Sequence, residues 1–296
     1  MNVKFYELKC ITNLFVGNGD NSYGIIDNQV EKDPILETPI IPSSGLKGSL
    51  REFFENKKLD EKQIIKFFGN RPTEKEENNL KDGKLHFFTA QLLFRPMRVS
   101  LGNSSYCLVT TVDLLCRLFE MLEELDFYKE KSIEISKWRK KINNIQKKLS
   151  DSREENGISN KGIYVEGYEV KKDEVVEEFI KFLKEIGFLQ KRRKEIPIVI
   201  LKSECFKEVD LPIVARNRLD NGVSKSLWYE EIVPHQSVFY FAVMYPNELE
   251  KEYKIFYESI VSEAVRFGGG ASIGYGYCSI CEVKKVEQQG SDLIAK

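Results

Sequence analysis

Short strand-like segments alternate with amphipathic helical segments along most of the 296 residues. Residues 3–12, 84–94 and 237–244 are strand-like, whereas residues 174–186 and 251–266 have apolar side chains at helical spacing. Residues 3–12 alternate with Tyr6, Leu8 and Cys10 on one face, which predicts a strand, and residues 237–244 form an apolar strand. Apolar residues at helical spacing predict helices with one buried side. A chain in which strands and amphipathic helices alternate buries the apolar sides of its helices against a sheet. We therefore predict an α+β fold of ferredoxin-like (RRM-like) type, built on an antiparallel sheet.

A strong hairpin signal lies in the C-terminal half of the chain. Residues 211–220 and 226–233 are two strand-like arms, and Asn221 and Gly222 lie between them. Asn-Gly readily adopts the positive φ angles of a two-residue hairpin turn. We predict a hairpin within the region 205–235.

Length and composition fit one large domain with insertions, or two small ones, since 42% of the residues are hydrophobic. We expect a single domain over residues 1–296, with the charged, helix-forming residues 126–160 as a helical insertion. No apolar run approaches the length of a membrane span, and residues 1–10 lack the features of a secretory signal. We expect a cytoplasmic protein with no membrane partner.

The overall charge argues mildly against nucleic-acid binding, because 45 basic and 46 acidic residues give a net charge of −1. Two basic segments, residues 137–141 and 191–194, could still form a local basic face. They could equally be solvated helix faces that nearby glutamates offset.

Metal and histidine chemistry has weak support in the sequence. Cys278 and Cys281 have CxxC spacing, but they lie in a strand-like run and no second pair exists, so we expect ordinary strand residues. His86 and His235 are the two histidines of the chain. They are too few for a His-based zinc site and a poor basis for a two-histidine ribonuclease.

Residues 16–42 form a long segment rich in turn residues, and a loop of this length is usually functional or disordered. A helix can start at Ser43 and Ser44, where a serine hydroxyl can cap the free amides. Lys47 and Arg51 are four residues apart and share a helix face. Such a helix start can receive a phosphate, although two solvent-exposed cations explain the residues as well.

Three consecutive glycines, Gly268, Gly269 and Gly270, lead into the last predicted strand. They do not make a dinucleotide-binding GxGxxG motif, because Ile273 stands where the third glycine would be and no helix follows. Bare backbone amides could bind an anion. The same residues would also suit a tight helix-to-strand turn, and both alternatives remain open.

Five segments, in matching order, resemble motifs of the RAMP superfamily of CRISPR RNA-binding proteins. They are Gly24–Val30, Pro39–Arg51, Leu92–Arg98, Val214–Asp220 with Leu227–Glu231, and the glycine-rich residues 268–276. Each match is weak alone, but together they span nearly the whole chain. Within the superfamily, the chain is most similar to the repeating backbone subunit of the type III-B (Cmr) effector complex.

The resemblance implies a RAMP fold in which a palm-like sheet holds RNA and a thumb hairpin presses into the guide–target duplex. The implied partners are a crRNA guide, target RNA, further copies of the chain and other Cmr subunits. The implied RNA contacts are Ser43, Ser44, Lys47, Arg51, Arg98, Arg216, Arg218, Gly268, Gly269 and Gly270.

The resemblance also implies a catalytic role for Asp27, as the ligand of a divalent metal, Mg²⁺ being the expected ion, in an endoribonuclease that uses the neighbouring 2′-hydroxyl. Tyr229 and Glu230 are weaker catalytic candidates. On the residues alone, Asp27 is more typical of a turn-stabilising aspartate. Phe15 stands where relatives often carry a histidine, so no proton-transfer role is assigned there.

Three functions therefore remain open. The first is a backbone subunit that polymerises along the guide and cleaves target RNA at regular intervals. The second is a purely structural RNA-binding backbone. Phe15 favours it, because relatives often carry a histidine at this place. The third is a stand-alone guide-processing endoribonuclease, which the shortage of histidines disfavours.

Overall fold

A computed structural model describes residues 1–19, 24–70, 82–125, 132–151, 155–190 and 195–283. The strands of this part of the chain are β1 (Asn2–Cys10), β2 (Ile40–Ile41), β3 (His86–Phe87), β4 (Ala90–Leu101), β5 (Tyr106–Thr111), β6 (Gly157–Ser159), β7 (Ile163–Val165), β8 (Tyr168–Lys172), β9 (Ile198–Leu201), β10 (Ile213–Asp220), β11 (Val223–Glu231), β12 (Val238–Tyr245), β13 (Val265–Arg266) and β14 (Tyr277–Glu282). The helices are α1 (Ser43–Asn56), α2 (Glu61–Phe68), α3 (Val112–Glu124), α4 (Ser132–Asp151), α5 (Glu174–Glu185), α6 (Ser203–Glu208) and α7 (Glu250–Ser262).

One mixed sheet contains twelve of these strands, and its main path runs β13-β14-β1-β12-β4-β5-β9-β6-β8-β7. Most neighbours are antiparallel, as predicted; in the pair β1 and β12, for example, Tyr6 lies opposite Phe241. The prediction of an antiparallel sheet is wrong at two pairs, because β5 runs parallel to β9 and β6 runs parallel to β8. The long connection from β5 to β9 contains three helices, which gives the chain the length that a parallel crossover needs.

Helices cover both faces of the central strands. On β12, Phe239 and Phe241 pack into one core with residues of α1, α2 and α7. Tyr240 and Ala242, which point to the other face, join a second core with residues of α3, α4 and α5. Each large apolar side chain buried in this way contributes roughly 1.5–3 kcal/mol. Helices therefore cover both faces of the sheet at β12.

The region that we predicted as an insertion contributes to the body of the domain. Its helix α4 buries four apolar side chains in the second core, namely Ile135, Ile142, Ile145 and Leu149. Gly157–Ser159 then enters the main sheet as β6. Residues 126–131 and 152–154, and the basic segment 191–194, lie outside the described residues.

A tight turn separates β7 from β8. Glu166 and Gly167 both have positive φ angles, 46° and 94°, and reverse the chain between these two antiparallel strands. The CxxC residues are strand residues, as predicted: Cys278 is buried in β14, with its Sγ 3.9 Å from that of Cys10. Within the described part of the chain no helix is long and apolar enough to cross a membrane.

Candidate cleavage and nucleic-acid interface

The predicted hairpin is present and forms its own two-stranded sheet. Strands β10 and β11 pair from Ile213 opposite Glu231 to the turn, where Asn221 and Gly222 have φ angles of 49° and 81°. These are the positive angles that the Asn-Gly dipeptide predicts. One face of the hairpin leaves large apolar side chains in solvent, at Ile213, Leu219 and Leu227. An exposed apolar surface of this kind is typical of a contact with another molecule.

The loop that carries Asp27 is attached to the base of this hairpin by main-chain hydrogen bonds. The amides of Asp27 and Asn28 both donate to the Tyr229 carbonyl at 3.1 Å, and the Glu231 amide donates to the Asn28 carbonyl at 2.9 Å. The Tyr229 amide in turn donates to Asp27 Oδ2 at 2.8 Å. Asp27 is exposed, and its Oδ1 has no hydrogen-bond partner among the described residues. One carboxylate oxygen thus holds the side chain in place, and the other is available to a ligand.

Glu231 fastens the next part of the same loop. Its buried carboxylate accepts from the Val30 amide at 3.1 Å through Oε2 and from Lys32 Nζ at 2.8 Å through Oε1. We did not single out this residue from the sequence. The sequence did contain a signal for it. Adjacent strand residues point to opposite faces, so Glu230 and Glu231 have different surroundings and cannot have the same role.

Glu230 holds an arginine. Its two carboxylate oxygens accept from Arg216 Nε at 3.0 Å and from Trp228 Nε1 at 2.8 Å. The Arg216 guanidinium also lies 4.8 Å from the centre of the Tyr275 ring. These contacts give Glu230 a structural role, and its catalytic role stays a prediction. Tyr229, whose backbone contacts Asp27, remains partly exposed beside it.

The start of α1 lies open to solvent, but no serine caps it. The N-cap residue is Pro42, without a side-chain hydrogen bond, so the prediction of a serine cap is wrong. The helical hydrogen bonds begin with the Leu46 amide, which donates to the Pro42 carbonyl at 2.8 Å. Earlier amides, including that of the exposed Ser44, therefore have no acceptor within the helix. Lys47 lies nearby and makes no ion pair with any described residue.

Arg51 is committed to the interior of the fold. Its Nε pairs with Glu55 at 2.8 Å, and its Nη1 donates to the Gly69 carbonyl at 2.8 Å, so it ties α1 to the end of α2. Only 16% of the side chain is exposed. The shared face with Lys47 is consistent with the spacing, and these contacts engage Nε and Nη1 of Arg51 within the protein. Its contact with RNA stays a prediction.

Two further predicted RNA contacts are exposed but lie in different places. Arg98 lies on β4, seven residues and about 23 Å along the strand from Gln91, which pairs with the segment before α1. It pairs with Glu166 at 3.6 Å and does not join the site. Arg218 lies near the hairpin tip, exposed and without an ion pair among the described residues.

The glycine loop packs against the protein backbone. A Cβ at Gly268, whose φ is 70°, would lie 2.1 Å from the Phe15 carbonyl oxygen. The Gly269 amide donates to the same oxygen at 2.8 Å. The close approach that requires bare residues is thus to Phe15, so we no longer assign Gly268 and Gly269 to RNA. Gly270, with a φ of 73°, continues the same turn.

The two histidines lie far apart and do not form one site within the chain. His86 is opposite Met244 near one end of β12, and His235 precedes the other end at Val238. Six strand residues between these ends span about 20 Å.

The acidic residues test the predicted metal. The described residues hold no cluster of three or more His, Cys, Asp or Glu side chains that could bind an ion. Mg²⁺ in nucleotide-processing sites is often held by one or two carboxylates, with waters and substrate phosphates completing the shell. Asp27 could supply one carboxylate ligand to such a metal. Waters and the phosphates of bound RNA would have to supply the others.

Comparison with known proteins supports the family that the motifs indicate. The model of the RAMP superfamily matches residues 7–279. The Cmr endoribonuclease Cmr4 of Pyrococcus furiosus is 27% identical over 303 residues, covering 96% of each protein. A chain in the cryo-EM structure of the type III-B Cmr-beta complex bound to cognate target RNA superposes with a TM-score of 0.72 at 23% identity, covering 97% of this chain and 99% of that one.

The crystal structure of oligomeric Cmr4 from Pyrococcus furiosus gives a TM-score of 0.65 at 18% identity, covering 96% of this chain and 98% of that one. These structures share the mixed α+β fold described above. With the family model covering most of its length, the chain belongs to the RAMP superfamily.

Proposed function

We propose that the chain is a repeating backbone subunit of a type III-B CRISPR ribonucleoprotein that binds a crRNA guide and cleaves complementary target RNA at regular intervals. One observation carries the proposal: the exposed Asp27 carboxylate is fixed by hydrogen bonds to the base of a projecting hairpin. Its full-length relative in Pyrococcus furiosus is a Cmr endoribonuclease. A structurally similar chain belongs to a type III-B complex bound to target RNA.

We assign the RNA contacts to hydrogen-bond donors that have no partner within the described part of the protein. The unbonded amides at the start of α1 and the unpaired Lys47 form a phosphate site at one edge of the sheet. The hairpin serves as the thumb, with Arg218 exposed near its tip and Leu219 and Leu227 on its apolar face. Helices cover both faces of the sheet at β12, so the surface that holds the RNA, the palm, would lie along the edge of the sheet.

The chemistry assigned to Asp27 is cleavage by the RNA's own 2′-hydroxyl. The 2′-oxygen attacks the adjacent phosphorus to form a 2′,3′-cyclic phosphate, and the bond from phosphorus to the 5′-oxygen breaks. The 2′-hydroxyl gives up its proton to a base, and the 5′-oxygen leaves with a proton from solvent water. In this proposal Asp27 Oδ1 orients the hydroxyl or accepts its proton, while Oδ2 keeps the side chain on the Tyr229 amide. A divalent metal, when bound, would stabilise the phosphate charge. DNA lacks the hydroxyl, so the reaction selects RNA.

A non-catalytic backbone is the second candidate function. Phe15 stands where a histidine could act, and its carbonyl supports the glycine loop. Glu230 is occupied by Arg216 and Trp228. With these groups engaged elsewhere, catalysis would depend on Asp27, and a chain in which Asp27 only braces its loop would be a structural backbone.

Reconstitution tests the proposal. The chain, assembled with a crRNA and the other subunits of its complex, should cut complementary RNA into a ladder of evenly spaced products in Mg²⁺. EDTA should stop the cleavage but leave target binding intact, since binding rests on phosphate contacts and base pairing. Gel analysis of end-labelled target RNA measures both. Binding without any ladder, with or without Mg²⁺, would leave only the structural backbone.

Replacing Lys47 by alanine should weaken guide binding equally for all RNA sequences, because phosphate contacts carry no base information. One lost contact should reduce the slope of log affinity against log salt by about 0.7 per chain. Filter binding at several salt concentrations measures the slope. Arg51→Ala is the matched comparison: it should lower thermal stability, since it breaks the contacts with Glu55 and Gly69. An unchanged salt slope in Lys47→Ala would remove α1 from the interface.

A further inference from the structure

Tyr275 connects the glycine loop to the hairpin. Its side chain lies against Gly270, where a Cβ would be 3.1 Å from Tyr275 Cβ and 3.3 Å from the ring atoms Cγ and Cδ2. The guanidinium carbon of Arg216, on β10, lies 4.8 Å from the centre of the same ring. This distance is within the range of a cation–π contact. The missing side chain at Gly270 thus makes room for an aromatic ring that meets the hairpin.

The main chain on either side of Tyr275 is fixed. The Tyr275 amide donates to the Gly270 carbonyl at 3.1 Å, and the Gly276 amide donates to the Asn13 carbonyl at 2.8 Å. Gly276 has a φ of 85°, and a Cβ there would lie 1.9 Å from the Phe267 carbonyl oxygen. The ring therefore projects from a firmly held point of the domain body toward the hairpin.

The ring meets a polar cluster on one face of the hairpin. Arg216 and Trp228 lie directly opposite each other, and both donate to the Glu230 carboxylate, at 3.0 Å and 2.8 Å. The Arg216 side chain is 22% exposed and the Glu230 side chain 16%. Residues 217–227, toward the tip, are all exposed. The cluster thus marks the point at which the hairpin leaves the body of the domain.

This cluster is continuous with the attachment of the Asp27 loop. Glu230 directly follows Tyr229, whose amide donates to Asp27 Oδ2 and whose carbonyl accepts from the Asp27 amide. A change in the angle of the hairpin would therefore move the Asp27 carboxylate relative to the body of the domain. We propose that Tyr275 is a positioning residue, which fixes this angle through its contact with Arg216 and so keeps Asp27 in place for cleavage. This role in cleavage rests on the proposed function of Asp27.

The fluorescence of Trp228 reports on the cluster. The chain has two tryptophans, and Trp138→Phe leaves Trp228 as the single emitter. Trp138 stacks on Phe182 at 5.1 Å, so a phenylalanine ring should be tolerated in its place. In this background, Tyr275→Ala should shift the emission to longer wavelengths, because water reaches the indole when the cluster loosens. Tyr275→Phe keeps an aromatic ring and should keep the original emission. Tyr277→Ala, which removes a 41% exposed tyrosine two residues further on, should also leave it unchanged.

Hydrogen exchange of the full chain without RNA measures how firmly the hairpin is held. Loss of the cation–π contact in Tyr275→Ala should speed exchange of the β10 and β11 amides roughly two- to thirty-fold and leave β1 and β12 unchanged. In an Arg216→Ala background, Tyr275→Ala should have little further effect, because both changes remove the same contact. Unchanged Trp228 emission and hairpin exchange in Tyr275→Ala, or exchange that rises equally in β1 and β12, overturns the proposal.

Reconstituted complexes test the link to cleavage. With Tyr275→Ala they should cut target RNA roughly ten- to hundred-fold more slowly in single turnover, because the reacting groups are aligned less often, and should bind the target as before. Tyr275→Phe should restore most of the rate. Cleavage at the original rate in Tyr275→Ala complexes whose hairpin exchanges faster overturns the positioning role. Complexes of the unmodified chain that do not cleave contradict the proposed function of Asp27 instead, and the emission and exchange measurements still decide whether Tyr275 holds the hairpin.

Discussion

Complexes that carry Asp27→Asn should bind guide and target RNA as tightly as the unmodified complex and cut the target roughly 10²–10⁴ times more slowly. The physical reason is the division between the two carboxylate oxygens. Oδ2 accepts from the Tyr229 amide, and an asparagine carbonyl can do the same, so the loop should stay in place. The negative charge that a metal or a hydroxyl proton requires is lost. Single-turnover cleavage of end-labelled target measures the rate, and gel shift measures the binding.

Two controls make this result specific. Glu124→Gln removes an equal charge from an exposed position at the end of α3 and should leave both rate and binding unchanged. Melting curves of the isolated Asp27→Asn chain should match those of the original, because the anchoring hydrogen bond is kept. Cleavage at the original rate and spacing in Asp27→Asn complexes would exclude Asp27 as the catalyst and favour a purely structural backbone.

Local patterns predicted the elements around this site well. The hairpin followed from Asn221 and Gly222, whose positive φ angles are a property of the dipeptide itself. Strand β1 and helix α5 followed from their periodicity. Helix α5 buries the face that its apolar residues define, whereas β1 buries Phe5 on the face opposite to Tyr6 and Leu8 as well. Such features depend on residues close together in sequence, and these are what a single sequence shows.

Long-range pairings were beyond the reach of the same reasoning. The parallel pairing of β5 with β9 joins residues about ninety positions apart, and nothing local distinguishes it from an antiparallel alternative. The closed sheet faces depend in the same way on which helix packs on which side. The palm-like sheet that the resemblance implies therefore stays a prediction, since the pattern of single strands does not say which of their faces a helix will cover.

The sequence identified some site residues by their motif, but it did not show which groups those residues contact. Asp27 was recognised through its motif, whereas its attachment to Tyr229 joins positions 202 residues apart. Arg51 and Glu230 look like free polar residues in the sequence, and only their contacts show that they are occupied. Gly268 was assigned two alternative reasons for having no side chain, and the distance to the Phe15 carbonyl decided between them.

Replacing Glu231 by alanine should destabilise the chain and slow cleavage together. The Val30 amide would lose its acceptor inside the protein, and Lys32 would lose its ion pair. Lys32 is 40% exposed and can be hydrated again, so most of the effect should come from the buried amide. We expect a loss of about 2 kcal/mol in the free energy of unfolding, or about 4–8 °C in Tm. Thermal and urea denaturation measure it.

The effect on cleavage distinguishes a positioning role from general destabilisation. Glu231 touches the loop that carries Asp27, so its loss should raise hydrogen exchange at residues 27–32 more than in the cores of the domain. Glu231→Gln keeps an acceptor for the Val30 amide and should recover most of the stability and the rate. Glu258→Gln, which removes an exposed charge paired with Lys254, should change neither. If Glu231→Ala complexes cut at the original rate despite faster exchange in this loop, the geometry of Asp27 does not depend on its anchor to the hairpin.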